Sequence, residues 1–179
     1  METRFFCDEM LRRLGRWLRA AGYDTRIAEA GMADGELMRL AFAEGRLVLS
    51  RDRKLLEHKG ASHGAIHLQA NDTEGCALEL CRRVGVNWLY RPFSRCLLCN
   101  TALRPAVAAD WPDLPESIRA AGMPLWYCPT CRKVYWQGSH TDRMRAQLGR
   151  WQTRCREEVP TGPAPLPPEG REGQSGRGM

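Results

Sequence analysis

The sequence predicts an α/β protein built on a parallel sheet, followed by a small zinc-ribbon module. Over roughly the first 85 residues, short apolar runs typical of strands alternate with amphipathic segments typical of helices, which is the pattern of a parallel sheet with helices on its faces. After residue 90 the chain becomes rich in Pro, Trp and Cys and contains two C-x-x-C pairs. With 179 residues, the chain has room for one such core and one satellite module.

The first predicted strand is followed directly along the chain by the first predicted helix. The apolar run at 5–7 has the length of a short buried strand. Apolar residues then recur every three or four positions, which places them on one helical face: Leu11, Leu14, Leu18 and Ala21. The arginines between them are expected to point away from the core: Arg12, Arg13, Arg16 and Arg19. Gly22 ends this helix.

The remaining elements of the α/β part continue the alternation. Further strands are predicted at 25–28, 46–50 and 65–69. Further helices are predicted at 34–44, 55–56 and 71–83. Leu37 faces inward from the first of these helices, and Gly45 closes it. Short turns join all of these elements, as expected for helices that cross between parallel strands.

Three aspartates are predicted to meet at one edge of this sheet. Asp8 and Asp52 follow two core strands, and Asp34 opens the helix before the second of them. A right-handed crossover brings all three to the carboxyl ends of the strands, where ligands bind in open α/β sheets. Carboxylates are the ligands that Mg²⁺ or Mn²⁺ prefers, and such ions promote phosphodiester hydrolysis. Each aspartate also has a structural alternative, because Asp is favoured at helix caps and turns.

The segments around these aspartates resemble a known family. The run from Phe5 to Thr25, with Asp34 and residues 45–53, is similar to the PIN-like ribonuclease domain found at the C-terminus of Mut-seven proteins and as stand-alone bacterial proteins. The resemblance extends from Arg4 to about Trp151. It implies a three-layer PIN-like fold and metal-dependent cleavage of RNA.

The resemblance also implies which residues form the site. By position, Asp8, Asp34 and Asp52 correspond to the acidic set, with Arg13 and Arg51 as nearby basic residues. PIN nucleases commonly use a fourth carboxylate after the next strand, where this chain offers Asp72 or Glu74. Asn71-Asp72-Thr73 is also a typical helix start, so Asp72 has the alternative role of a helix cap.

Four cysteines form the most specific motif of the chain. Two C-x-x-C pairs, hereafter the first and second knuckles, are 28 residues apart: Cys96, Cys99, Cys128 and Cys131. Four thiolates in two such pairs are typical of a closed tetrahedral Zn²⁺ site, which is structural because it has no open position. Free or redox-active cysteines are the alternative. The other cysteines are expected to be ordinary small residues, buried or on the surface: Cys7, Cys76, Cys81 and Cys155.

Aromatic and basic residues surround the second knuckle. The aromatic residues are Trp126, Tyr127, Tyr135 and Trp136, and the basic residues are Arg132 and Lys133. They form either the core of a small module or a surface for base stacking and phosphate contact. A net charge of +6 agrees with a phosphate-bearing partner such as RNA.

The predicted organisation is a PIN-like nuclease domain at 1–90, a zinc-ribbon module with a closing helix at 91–155, and a disordered tail at 156–179. The periodicity predicts the closing helix over 139–151. We expect an Mg²⁺- or Mn²⁺-dependent endoribonuclease with structural zinc. The alternatives are a non-catalytic RNA-binding adaptor and a protein-interaction module that uses the ribbon. No signal peptide or membrane-spanning run is visible, so a cytoplasmic protein is expected.

Overall fold

A computed structural model describes residues 3–57, 64–110 and 116–158. It contains the predicted four-stranded sheet, whose strands are β1 (Phe5–Cys7), β2 (Thr25–Ile27), β3 (Leu47–Ser50) and β4 (Ala65–His67). The strand order is β2-β1-β3-β4, and all three pairings are parallel. The α/β class predicted from the sequence is therefore confirmed.

Helices cover both faces of the sheet and make three layers. They are α1 (Arg12–Ala21), α2 (Asp34–Glu44), α3 (Thr73–Val84) and α5 (Ser139–Glu158). A short helix, α4 (Glu116–Ala120), belongs to the cysteine-rich part. Neighbouring residues of a strand point to opposite faces. Phe5 accordingly packs in the core with α1, α3 and α5, whereas Phe6 packs in a second core with Leu37 and Ala41 of α2.

The cysteine-rich part carries its own sheet. Its antiparallel strands are β5 (Arg104–Pro105), β6 (Leu125–Cys128) and β7 (Lys133–Trp136), in the order β5-β6-β7. We call these three strands the ribbon sheet. Helix α5 follows directly and packs back on the α/β part, where the Trp151 ring lies 4.9 Å from Trp17 and 5.0 Å from Trp88 between ring centroids.

One expectation about the cysteines is wrong. Cys81 on α3 and Cys155 on α5 form a disulfide, so they are not the ordinary small residues expected. The packing of α3 against α5 brings their Cα atoms to 5.7 Å, within the range that a disulfide spans. The two residues are 74 positions apart, so no local pattern links them.

The closing helix is longer than predicted. Its periodicity indicated an end near Trp151, but α5 continues to Glu158 with Cys155 buried on the same face. Residues 159–179, most of the predicted disordered tail, lie outside the described residues. The division into domains at residue 90 stays a prediction. Within the described ranges, no helix has both the length and the apolar character that crossing a membrane requires.

Candidate functional site

The register of the central strands brings the segments of Asp8 and Asp52 together. Strands β1 and β3 pair with Cys7 beside Leu49, and the Asp8 N–H donates to the Leu49 carbonyl at 2.9 Å. Strands β1 and β3 both end at this edge of the sheet, which we call the carboxyl edge. Asp8 and Asp52 are half-buried here, so their carboxylates have access to solvent.

A buried serine connects these two segments. Ser50, the last residue of β3, is fully buried, and its hydroxyl donates to Asp8 Oδ2 at 2.7 Å. The Ser50 hydroxyl oxygen also accepts the Asp52 N–H at 2.9 Å. Sequence reasoning missed Ser50, although a small hydroxyl residue that ends an apolar strand two positions before an aspartate was a usable signal.

The structure also tests the alternative roles of these aspartates. Asp8 occupies the N-cap position of a short 3₁₀ helix, Glu9–Leu11, but its side chain makes no capping hydrogen bond. Asp52 does hold a turn, since its Oδ1 accepts the Lys54 N–H at 2.8 Å. The second carboxylate oxygen of Asp52 is not needed for this turn.

Asp34 reaches the carboxyl edge by a different element. It is the first residue of α2, whose N-cap is Ala33, so the predicted capping alternative for Asp34 does not apply. Because α2 returns the chain to the start of β3, its first turn lies on the same side as the strand ends. Glu9 Oε2 accepts the Gly31 N–H at 3.0 Å and ties the preceding loop to the Asp8 segment, a link that the sequence did not indicate.

The donor chemistry of this edge fits a hard divalent cation. Within residues 3–57, 64–110 and 116–158, however, the three aspartates do not form a group whose ligand atoms all lie within 4.8 Å of one another. Magnesium usually keeps several waters and is held by only one or two carboxylates together with substrate phosphates. Asp8 and Asp52, joined through Ser50, offer carboxylates of that kind.

The two predicted arginines line one small cleft beside this edge. The cleft, of about 50 Å³, lies between the first turns of α1 and α3 and is bordered by Arg13, Arg51 and Asp72. Arg51 Nη2 donates to Asn71 Oδ1 at 2.7 Å, which fixes the guanidinium. Asp72 is the N-cap of α3, and its Oδ1 accepts the Gly75 N–H at 2.7 Å, so its capping role is observed.

The four knuckle cysteines form a compact sulfur cluster. Their Sγ atoms all lie within 4.8 Å of one another, with Cys96 to Cys131 at 3.8 Å and Cys99 to Cys128 at 3.4 Å. A tetrahedral zinc ion with Zn–S bonds of about 2.3 Å needs sulfurs about 3.8 Å apart. The cluster is therefore compatible with the predicted zinc ribbon.

Hydrogen bonding already favours a thiolate in this cluster. Burial opposes ionisation of Cys99, but hydrogen bonds from Thr101 and the neighbouring thiols outweigh it and lower the pKa of Cys99 to about 6. Hydrogen bonding to Cys99, together with burial, raises the pKa of Cys131 to about 12. The thiolate is the form that binds zinc.

The first knuckle is anchored on the α/β part by a buried arginine. Arg19, only 7% exposed, donates from Nε to the Thr25 carbonyl at 2.8 Å and from Nη1 to the carbonyls of Leu97 at 3.0 Å and Leu98 at 2.6 Å. The expectation that Arg19 points away from the core is wrong. Its position on α1 faces the knuckle, and the knuckle carbonyls replace water as its partners.

An asparagine of the same knuckle covers the edge of the parallel sheet. Asn100 Oδ1 accepts the N–H of Thr25, the first residue of β2, at 2.9 Å, and its Nδ2 donates to Asp24 Oδ1 at 2.6 Å. Asp24 also pairs with Arg46 at 2.7 Å. The ribbon thus docks where the parallel strands begin, which we call the amino edge, opposite the candidate carboxylates.

Comparison with known proteins identifies a family. The family model described as Mut7-C RNAse domain matches residues 3–148. No curated protein and no solved structure matches the chain.

Proposed function

The chain belongs to the Mut7-C RNAse domain family, and we propose from this premise that it is a metal-dependent endoribonuclease acting at the carboxyl edge of its parallel sheet. The family description implies RNase activity. The observation that carries the choice of site is the buried Ser50 hydroxyl, which connects the Asp8 carboxylate to the backbone of Asp52. A single hydroxyl that orders two acidic segments at a ligand-binding sheet edge supports a preorganised site.

In this proposal, Asp8 and Asp52 would hold Mg²⁺ or Mn²⁺, with Asp34 as the third acidic residue of the site. The ion, when bound, supplies an activated water and positive charge against the phosphate. Ser50 keeps the Asp8 carboxylate in place. Asp72 already caps α3, so it offers only its second oxygen to a metal.

The basic residues of the cleft are assigned to the substrate. Arg51 is held by Asn71, and Arg13 lies exposed across the same cleft. A fixed guanidinium beside the carboxylates is suited to binding a phosphate through two N–H groups. We assign Arg13 and Arg51 to the scissile phosphate and its neighbour. We also propose that the protein acts in the cytoplasm.

The experiment compares Asp8→Asn and Asp52→Asn with the unchanged chain on labelled RNA, with Mn²⁺ or Mg²⁺ added. Loss of a carboxylate at a metal site costs several kcal/mol, so cleavage should fall about 100-fold or more. Asp142→Asn, an exposed aspartate on α5, is the matched control and should cleave normally. Circular dichroism and zinc content should be the same in all variants.

Three outcomes would contradict this proposal. Full cleavage by either site variant would overturn the site assignment. RNA binding with strong salt dependence, but no cleavage with any divalent ion, would instead indicate a non-catalytic RNA-binding adaptor. Stoichiometric capture of one protein without nucleic acid would indicate an interaction module.

A further inference from the structure

We propose that one face of the ribbon sheet, the face that carries Trp126 and Lys133, binds single-stranded RNA as a second contact site away from the carboxyl edge. The inference rests on the proposed function, because it takes RNA as the substrate class. It concerns residues that the proposed reaction does not use.

The strand register places an aromatic pair and a cation on this face. Trp126 pairs with Tyr135, and Cys128 pairs with Lys133, in antiparallel β6 and β7. Directly paired residues point to the same side of a sheet, as do residues two apart on one strand. Trp126, Tyr135 and Lys133 therefore share one face, with the Trp126 side chain 42% exposed.

The cysteine cluster holds this face in place at the end of the strands next to the second knuckle. Cys128 lies on the same face and is fully buried, and the Tyr135 hydroxyl lies 3.1 Å from Cys96 Sγ, so the Tyr135 ring is anchored at the cluster. An aromatic ring held in one position loses little entropy when a base stacks on it. Trp126 beside Tyr135 is thus suited to base stacking.

The charge of the segment favours a polyanion over an acidic or apolar partner. Residues 117–141 contain Arg119, Arg132 and Lys133 and no Asp or Glu. Among the described residues, no carboxylate pairs with Arg132 or Lys133. Lys133 lies diagonally from Trp126 at about 7–8 Å, which places a phosphate contact beside a stacked base.

The other face of the ribbon sheet is different in charge. Tyr127 and Trp136 lie there, and Arg104 stacks on the Tyr127 ring at 4.6 Å. Arg104 is already neutralised by Asp110, with two hydrogen bonds of 2.7 Å. Trp136, which is 39% exposed, is therefore a matched control for Trp126: it has the same residue type and similar exposure on the opposite face.

The two sites lie at opposite ends of α1. The ribbon docks at the amino edge near the C-terminus of α1, whereas the candidate carboxylates lie near its start. The ten residues of α1 span about 15 Å. A strand that engages both sites must run along the molecule, so the ribbon face should matter for long RNA and not for RNA of a few nucleotides.

The test measures binding of a fluorescent single-stranded RNA of about 16 nucleotides to the full chain by anisotropy, without added Mg²⁺ or Mn²⁺. Trp126→Ala should weaken binding by about 5- to 150-fold, the range expected for loss of one stacked base. Lys133→Gln, a surface change that the fold tolerates, should also weaken binding and reduce its salt dependence. Trp136→Ala should bind like the unchanged chain, and all variants should keep their zinc.

Several results would overturn the inference. They are unchanged affinity in both Trp126→Ala and Lys133→Gln, an equal loss in Trp136→Ala, or equal affinity of the unchanged chain for duplex RNA. Cleavage separates this proposal from the proposed function. If Trp126→Ala weakens RNA binding but the unchanged chain does not cleave RNA, only the nuclease proposal fails. If cleavage requires Asp8 but Trp126→Ala binds RNA as tightly as the unchanged chain, only the ribbon proposal fails.

Discussion

The Ser50 hydroxyl lies 2.7 Å from Asp8 Oδ2 and accepts the Asp52 N–H at 2.9 Å. A fully buried hydroxyl with both a donor and an acceptor partner is satisfied on both sides. It fixes the two candidate metal-binding segments relative to each other although they lie more than forty residues apart in the chain.

Ser50→Ala should weaken the candidate site without removing any carboxylate. The Asp52 N–H and the Asp8 carboxylate each lose a hydrogen bond, which should lower the free energy of unfolding by about 1–3 kcal/mol. Under the proposed function, RNA cleavage should also fall, by about 10- to 100-fold, as for other residues that orient metal ligands. Urea unfolding and single-turnover cleavage measure the two effects. Ser50→Thr keeps the hydroxyl and should lose less activity than Ser50→Ala; the reverse order would refute the role of the hydroxyl.

Arg19→Ala should destabilise the whole chain. The carbonyls of Thr25, Leu97 and Leu98 lose their donor, and a buried side chain is removed, so we expect the free energy of unfolding to fall by about 2–4 kcal/mol. Arg16→Ala, on the exposed side of the same helix, should change it by less than about 0.5 kcal/mol. Chemical denaturation distinguishes the two. Equal effects would show that the knuckle does not depend on Arg19.

Loss of the zinc ligands should loosen the amino edge of the parallel sheet. Cys131→Ser should reduce the bound zinc from about one ion per chain to a small fraction, because a closed structural site needs all four ligands. The Thr25 amide, which is held by Asn100 of the first knuckle, should then exchange with deuterium faster. Cys76→Ala is the control, since Cys76 lies outside the cluster and should leave zinc content unchanged. Normal protection of Thr25 in zinc-free protein would contradict the coupling.

Glu79→Gln should show a stability loss that depends on pH. Burial alone raises the pKa of Glu79, but hydrogen bonds from the Gln69 N–H, Arg83 and the Ala70 N–H outweigh it, so the pKa lies below its ordinary value. A lowered pKa contributes stability above the unfolded-state value of about 4.3 and loses it as the pH falls through the folded-state value.

The difference in free energy of unfolding between the unchanged chain and Glu79→Gln should therefore be about 1–3 kcal/mol from pH 7 to about pH 5 and shrink below about pH 4.3. Urea unfolding at a series of pH values measures it. Glu157→Gln, on the exposed side of α5, should differ from the unchanged chain by less than about 0.5 kcal/mol throughout. A difference for Glu79→Gln that grows toward low pH would have the wrong sign.

The sequence predicted the α/β class because periodicity is a local property. Phe5 and Phe6 alternate between two cores, and leucines of α1 recur on one face, so each element carried its own signal. The cysteine cluster was equally predictable, since the C-x-x-C spacing is set by the geometry of a single turn. The structure gathers those four sulfurs as expected.

Contacts between distant elements had no such signal. The Cys81–Cys155 disulfide joins two helices that come together only when the chain folds. From the sequence, both cysteines were predicted to be ordinary residues. Arg19 had the spacing of an exposed arginine, but the docked knuckle buries it. In both cases the partner lies more than seventy residues away.

By itself, then, the sequence determined the order and type of the elements of the α/β part, the four cysteines that cluster, and the strand ends that Asp8 and Asp52 follow. Only the tertiary structure decided that Ser50 joins Asp8 to Asp52, that Arg51 is held by Asn71, and that the ribbon docks at the opposite edge. The reason is physical. Periodicity and turn spacing depend on neighbours along the chain, whereas the partner of a buried polar group is fixed by whichever distant segment packs against it.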